Sequence, residues 1–221
     1  MRRGPRLPLE DLQPFLLPTP PPGTSSPAAP PERIRWAELF GNDHPVEIEV
    51  GFGKGLFLLN AGQAFPDRNF LGIEVVRKYQ LLTATRLALR RIPNVKVACL
   101  DARPFLRDCV VPRSVQAVHV YFPDPWWKKR HHKRRVFTPE FAQTVESILA
   151  PGGQLLVVTD VEDYATMVRD TVREHTRMTE TAPPEERQPE HDLDFLTHFE
   201  RKFRQEGRPI YRMRFLPPET A

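Results

Sequence analysis

Residues 46–55 read Val46-Glu47-Ile48-Glu49-Val50-Gly51-Phe52-Gly53-Lys54-Gly55, a β-rich run that ends in three alternate glycines. Helical spacing follows at once, from Leu56 to Phe65. A strand that turns sharply into a helix opens a βαβ unit, and the chain beyond it repeats the pattern. Strands are predicted at Phe70-Leu71-Gly72-Ile73-Glu74, Val95 to Leu100, Val115 to Phe122 and Gln154 to Thr159, and helices at Lys78 to Arg91, Pro139 to Leu149 and Glu162 to His175. Pro151-Gly152-Gly153 stops one helix before its strand. Pro209 to Phe215 reads as a last strand pairing antiparallel, and the prolines and acids from Thr181 to Pro189 read as a loop. The expected fold class is α/β, a mostly parallel twisted sheet with helices on both faces and an antiparallel last strand.

The rest of the chain bounds this reading. Its 221 residues suffice for one domain with a full core. With 40% hydrophobic and 27% charged residues it has a globular composition, and no stretch approaches the ~20 apolar residues of a membrane span. Met1-Arg2-Arg3-Gly4-Pro5 leads into prolines rather than an apolar segment, so no secretory leader is expected and the default location is cytoplasmic. Ten of the 25 prolines fall between Pro5 and Pro31, which predicts a disordered tail over residues 1–32 and a folded domain over 33–217. Cys99 and Cys109 are too few for a disulfide scaffold and read as reduced, buried thiols.

Open α/β sheets bind ligands at the carboxyl ends of their strands, where the glycine run lies. A dinucleotide fingerprint would place a third glycine at position 56, which is Leu56, and Gly53-Lys54-Gly55 does not complete a P-loop. The remaining common ligand is an adenosyl compound without a pyrophosphate, S-adenosylmethionine, whose cations suit the carboxylate of Glu49. Glu74 ends the second strand and Asp101 follows the third, so both acids reach the same edge. One suits ribose hydroxyls and the other the adenine amine. The bland alternatives are an ordinary glycine turn and a pair of helix caps.

The densest signal is Tyr121-Phe122-Pro123-Asp124-Pro125-Trp126-Trp127-Lys128-Lys129-Arg130-His131-His132-Lys133-Arg134-Arg135, in which six of the last eight residues are Lys or Arg. The net charge of +4 is modest, but a cluster at the ligand edge suits phosphates, and the tryptophans offer stacking faces for a base. The bland reading is a solvated charged face beside core tryptophans. Asp124 is the sole acid in the run, and the prolines around it hold a rigid loop. His131 and His132 lack a third ligand nearby and sit among cations, so no metal is expected.

Together, Val46 to Gly55, Leu71 to Glu74, Asp101, Phe122 to Trp126, the basic stretch, Thr159-Asp160 and Thr197-His198-Phe199-Glu200 resemble the bacterial tRNA (guanine-N7)-methyltransferases over about residues 33–216. The resemblance implies a Rossmann-like class I methyltransferase fold that takes a methyl group from S-adenosylmethionine to guanine 46 in the tRNA variable loop. It also implies roles for single residues. Glu49, Gly51, Gly53, Glu74, Asp101 and Asp124 would bind S-adenosylmethionine, and Asp124 would also be the active-site acid. Lys128, Asp160, Thr197, His198, Phe199 and Glu200 would contact tRNA. Trp127 stands where the family often has Pro or another small or polar residue, His198 stands where it has Lys or Arg, and the proline-rich tail has no counterpart. A monomer or a homodimer would serve this activity, without a membrane. Two rival readings are a methyltransferase acting on another RNA, a protein or a small molecule, and a non-catalytic RNA-binding protein.

Overall fold

A computed structural model of the chain describes residues 7–17, 32–126, 135–184 and 197–218. Strands β1 (Val46–Val50), β2 (Asn69–Glu74), β3 (Val95–Cys99), β4 (Val115–Tyr121), β5 (Leu149–Thr159), β6 (Thr179–Thr181) and β7 (Tyr211–Leu216) form one sheet in the order β3-β2-β1-β4-β5-β7-β6. The first five run parallel, while β7 is antiparallel to both β5 and β6, as the sequence predicts for the last strand. The helices are α1 (Leu9–Leu12), α2 (Trp36–Phe40), α3 (Leu56–Ala64), α4 (Arg77–Arg90), α5 (Ala102–Cys109), α6 (Pro139–Ile148), α7 (Glu162–His175) and α8 (His198–Gln205).

Alternation along the strands builds two cores, because successive side chains point to opposite faces. Val46, Ile48 and Val50 of β1 pack with Phe105 and Leu106 of α5, Phe141 and Val145 of α6 and Val168 of α7. Phe70 and Val97 pack on the other face with Phe57 and Leu58 of α3 and Ala84 and Leu87 of α4. The chain leaves β1 towards β2 and β3, then returns to place β4 on the other flank of β1. The strand order therefore reverses between β1 and β4, the point at which open α/β sheets bind ligands outside the strands' carboxyl ends.

Several elements depart from the sequence reading. Pro151-Gly152-Gly153 does not separate helix from strand, because β5 starts at Leu149 and carries the triplet as an irregularity opposite Val115 and Ala117. Helix α5 holds Pro104 in its first turn, where a missing N–H costs no hydrogen bond. Cys99 and Cys109 are half-buried, not buried.

Residues 7–17, read as part of a disordered tail, are ordered. Leu12 and Leu17 are buried, Leu17 N–H donates to the Val97 carbonyl at 3.1 Å, and Lys96 Nζ donates to the Pro14 carbonyl at 2.7 Å. The reason is local composition: Leu7, Leu12, Phe15 and Leu16 supply enough apolar surface to pack on the α4 side and cover the open edge of β3. The more proline-dense residues 18–31 lie outside the described residues, as do residues 1–6. Leu12→Ala is expected to lower unfolding stability by about 2 kcal/mol, the lower range for a buried leucine. A chemical-denaturation midpoint measures it, and an unchanged midpoint would show that the segment is not docked.

Candidate active site

The glycine loop turns as its sequence requires. Gly51, Gly53 and Gly55 have φ of +80°, +52° and +71°, a region that side-chain-bearing residues avoid. At Gly55 space is limiting as well, since a Cβ there would lie 2.4 Å from the Thr83 side chain of α4. Glu74 holds the loop in place: its Oε2 accepts from Gly53 N–H at 3.0 Å and its Oε1 from Val76 N–H at 3.1 Å. One carboxylate thus ties the loop after β1 to the turn after β2.

Glu49, on β1, is 2% exposed, and its Oε2 has no hydrogen-bond partner among the described residues. Burial, and secondarily the charge of Glu74, push its carboxyl well above the usual range. A buried acid without a counter-charge is costly unless a ligand supplies one. This orphaned oxygen, beside a loop of left-handed glycines, fits the amino group of S-adenosylmethionine. Asp101 is more self-contained. It caps α5 by accepting from Arg103 N–H at 3.0 Å and pairs with the Arg103 guanidinium at 2.7 Å, which holds its carboxyl below the usual range. That is the helix-cap alternative the sequence left open.

Asp124 is exposed in the loop after β4. Phe122 and Trp126 on either side have φ of +48° and +44°, strained values for bulky side chains. The loop is held from outside: Phe122 N–H donates to the Val158 carbonyl at 2.7 Å, and Arg135 Nε donates to the Pro125 carbonyl at 2.8 Å. Lys128, with Trp127 to Arg134, lies outside the described residues.

The Thr197–Glu200 segment starts α8. Thr197 is its N-cap, its Oγ1 accepting from Glu200 N–H at 3.0 Å. Glu200 is buried and pairs with Arg204 at 3.2 Å and with Arg212 of β7, which ties α8 to the sheet. Phe199 is the exposed member, and its ring lies 6.0 Å from Phe203 and 6.4 Å from Phe122. The His198 side chain lies outside the described residues. Asp160, after β5, accepts from Arg208 at 3.1 Å, and that guanidinium stands over the Phe203 ring. The sequence reading missed Phe203, Arg208 and Arg212. Phe203 lies one helical turn after Phe199 on α8, whereas Arg208 and Arg212 stand 48 and 12 residues from their partners Asp160 and Glu200 and come near them only in the folded chain.

Glu49, Glu74, the glycine loop and Asp124 thus gather at the carboxyl ends of β1, β2 and β4, with Asp101 following β3. Residues 43–213 match the family described as "Putative methyltransferase". The chain is 44% identical over 83% of its length to the tRNA (guanine-N(7)-)-methyltransferase of Rhodopirellula baltica, covering 70% of that protein. It is 34% identical over 82% of its length to the enzyme of the same name from Mannheimia succiniciproducens, covering 73% of it. Among solved structures, the 16S rRNA methyltransferase KamB superposes with a TM-score of 0.59 over 83% of this chain and 93% of that one, at 16% identity. The precorrin-6y C5,15-methyltransferase of Geobacter metallireducens superposes with a TM-score of 0.52 over 80% and 82%, at 15% identity, so these two likenesses speak to the fold. With more than half its length matched and these relatives above the identity at which a family is shared, the chain belongs to the tRNA (guanine-N7)-methyltransferase family.

Proposed function

We propose that the protein transfers a methyl group from S-adenosylmethionine to N7 of guanine 46 in the variable loop of tRNA. The observation that carries the cofactor half is the unpartnered, buried Glu49 oxygen beside the Glu74-braced glycine loop. The substrate half rests on the family, and on a basic run that begins at Lys128, four residues after Asp124.

Bound S-adenosylmethionine supplies an electrophilic methyl carbon on a sulfonium. Guanine N7 presents an in-plane lone pair and no proton, so no side chain has to act as a base to create the nucleophile. The work left to the protein is alignment, which contributes up to roughly 7 to 11 kcal/mol in well-oriented reactions. Glu49 takes the ammonium, and Glu74 accepts the ribose hydroxyls on the lone pairs that its two backbone donors leave free. Asp124 accepts from the guanine N1 and N2 groups and gains interaction energy as the base becomes cationic. Asp160 is the second acid able to reach the base, and the exposed Phe199 ring offers it an apolar face.

Incubating the protein with labelled S-adenosylmethionine and total tRNA, then resolving the nucleosides, tests the reading. Label is expected in 7-methylguanosine at position 46; label in another nucleoside or in protein would move the substrate, and absence of cofactor binding would leave an RNA-binding protein. Glu74→Ala is expected to weaken S-adenosylmethionine binding by about 1.5 to 3 kcal/mol, the value of hydrogen bonds to a charged group. Unchanged affinity by calorimetry would put Glu74 outside the site.

A further inference from the structure

The sheet face under α3 carries a line of polar side chains of which only Glu49 has a place in the mechanism above. Glu47 and Glu49 on β1 share that face with His119 and Tyr121 on β4, and strand pairing sets Glu49 beside His119. All four are buried. Arg68 donates to Glu47 Oε1 at 2.8 Å, His119 Nε2 meets Glu47 Oε2 at 2.8 Å, and His119 Nδ1 meets the Tyr121 hydroxyl at 2.7 Å. Burial works against the Glu47 anion, yet the bonds from His119 and Arg68 hold its carboxyl below the usual range.

Glu49 receives none of this help. Both nitrogens of the neighbouring imidazole are committed, to Glu47 and to Tyr121. Helix α3, which covers the face, has the sequence LFLLNAGQA and brings no ionisable group, while its Phe57 ring packs against both His119 and Tyr121. From β2 comes the carboxylate of Glu74. From α8 and β7 come Glu200 and Arg212, which act on the Tyr121 hydroxyl but are paired with each other. Lys54, on the glycine loop, is exposed. The surroundings of Glu49 therefore hold two carboxylates on its own side of the sheet, Glu47 and Glu74, and the cation that pairs with Glu47 is Arg68.

We propose that Glu49 is held as the neutral carboxylic acid in the ligand-free protein and gives its proton to solvent when the ammonium group of S-adenosylmethionine or S-adenosylhomocysteine docks, so that one proton leaves per ligand bound. The O–H bond breaks, its electron pair stays on the carboxylate, and the ammonium N–H groups replace the proton as the counter-charge. A buried acid with no partner neutralises rather than ionises, and a cation delivered to the same spot reverses that preference. This inference rests on Glu49 being the ammonium site.

The test is calorimetric titration of the full chain with S-adenosylhomocysteine in buffers of different ionisation enthalpy, at about pH 6.5, below the range in which an α-ammonium loses its proton. The apparent enthalpy is expected to vary with the buffer by about one released proton per site, and affinity to rise up to about tenfold per pH unit through this range. Glu49→Gln is expected to bind more weakly, with neither dependence. If that variant binds too weakly to titrate, the infrared difference spectrum of the wild type decides, because a carboxylic-acid carbonyl band is expected to disappear on ligand addition. Ligand-free stability gives a further readout. A raised folded-state pKa contributes stability that is present at acidic pH and lost as pH rises, so Glu49→Gln is expected to gain on the wild type progressively towards neutral pH. Binding without proton release, proton release that survives in Glu49→Gln, or an unchanged carbonyl band would overturn the proposal while leaving the cofactor reading intact. No binding of S-adenosylhomocysteine would overturn that reading as well.

Discussion

Asp124→Ala is expected to lower the rate of tRNA methylation about a hundred- to a thousand-fold, the scale seen when one electrostatic group aimed at developing charge is removed. The fold is expected to survive, because Asp124 is exposed and its loop is held by other contacts, Phe122 N–H to the Val158 carbonyl and Arg135 to the Pro125 carbonyl. The strain at Phe122 and Trp126 fixes where residue 124 points, and strain of this kind persists only where its surroundings enforce it. Single-turnover methylation with saturating cofactor, beside a thermal-unfolding curve, separates the two effects. Asp124→Asn keeps the size and loses the charge, so it should fall nearly as far if stabilising a cationic base is the role. Wild-type turnover in either variant would remove Asp124 from the chemistry.

Glu200→Ala is expected to cost about 3 kcal/mol of stability and, with it, the attachment of α8. Glu200 is 3% exposed and its carboxylate meets both Arg204 and Arg212, so removing it breaks two ion pairs, one of them to a largely buried guanidinium. Helix α8 carries Phe199 and Phe203, whose rings reach Phe122 at the foot of the Asp124 loop. Loss of Glu200 should therefore reduce tRNA affinity and loosen the loop while leaving S-adenosylmethionine binding, which the proposed site assigns to β1 and β2, close to normal. Chemical denaturation, tRNA binding and cofactor calorimetry on one preparation measure the three effects. A variant with normal stability and lost tRNA binding would instead make Glu200 a direct substrate contact.

The two substitutions also divide what was legible in the sequence from what was not. Strand and helix periods, the glycine run after β1 and the acid at the end of β2 are local patterns, read from neighbours in the chain, and they correctly announced a mostly parallel sheet. Short elements escaped the reading. The α5 helix is eight residues long with a proline in its first turn, α8 has few apolar residues, and the docked residues 7–17 sit within a proline-rich stretch whose composition outweighed six apolar side chains.

By itself the sequence determined the fold class, the family and the set of acids at the carboxyl ends of the strands, because those follow from short-range pattern and from motifs contiguous in the chain. Only the tertiary structure decided what each acid does with its charge. Glu47 is bound by Arg68 and His119, Glu200 by Arg204 and Arg212, Asp101 by Arg103 and Asp160 by Arg208, whereas Glu49 has an oxygen with no partner among the described residues. Arg103 and Arg204 are near neighbours of their acids in the chain, but Arg68, His119, Arg208 and Arg212 are not, with separations of 72 residues for His119 and Glu47 and 48 for Arg208 and Asp160. A carboxylate's state depends on burial and on the charges facing it, and for Glu47, Glu49 and Asp160 both are set by which elements pack together, so no window of sequence around those acids contains the answer.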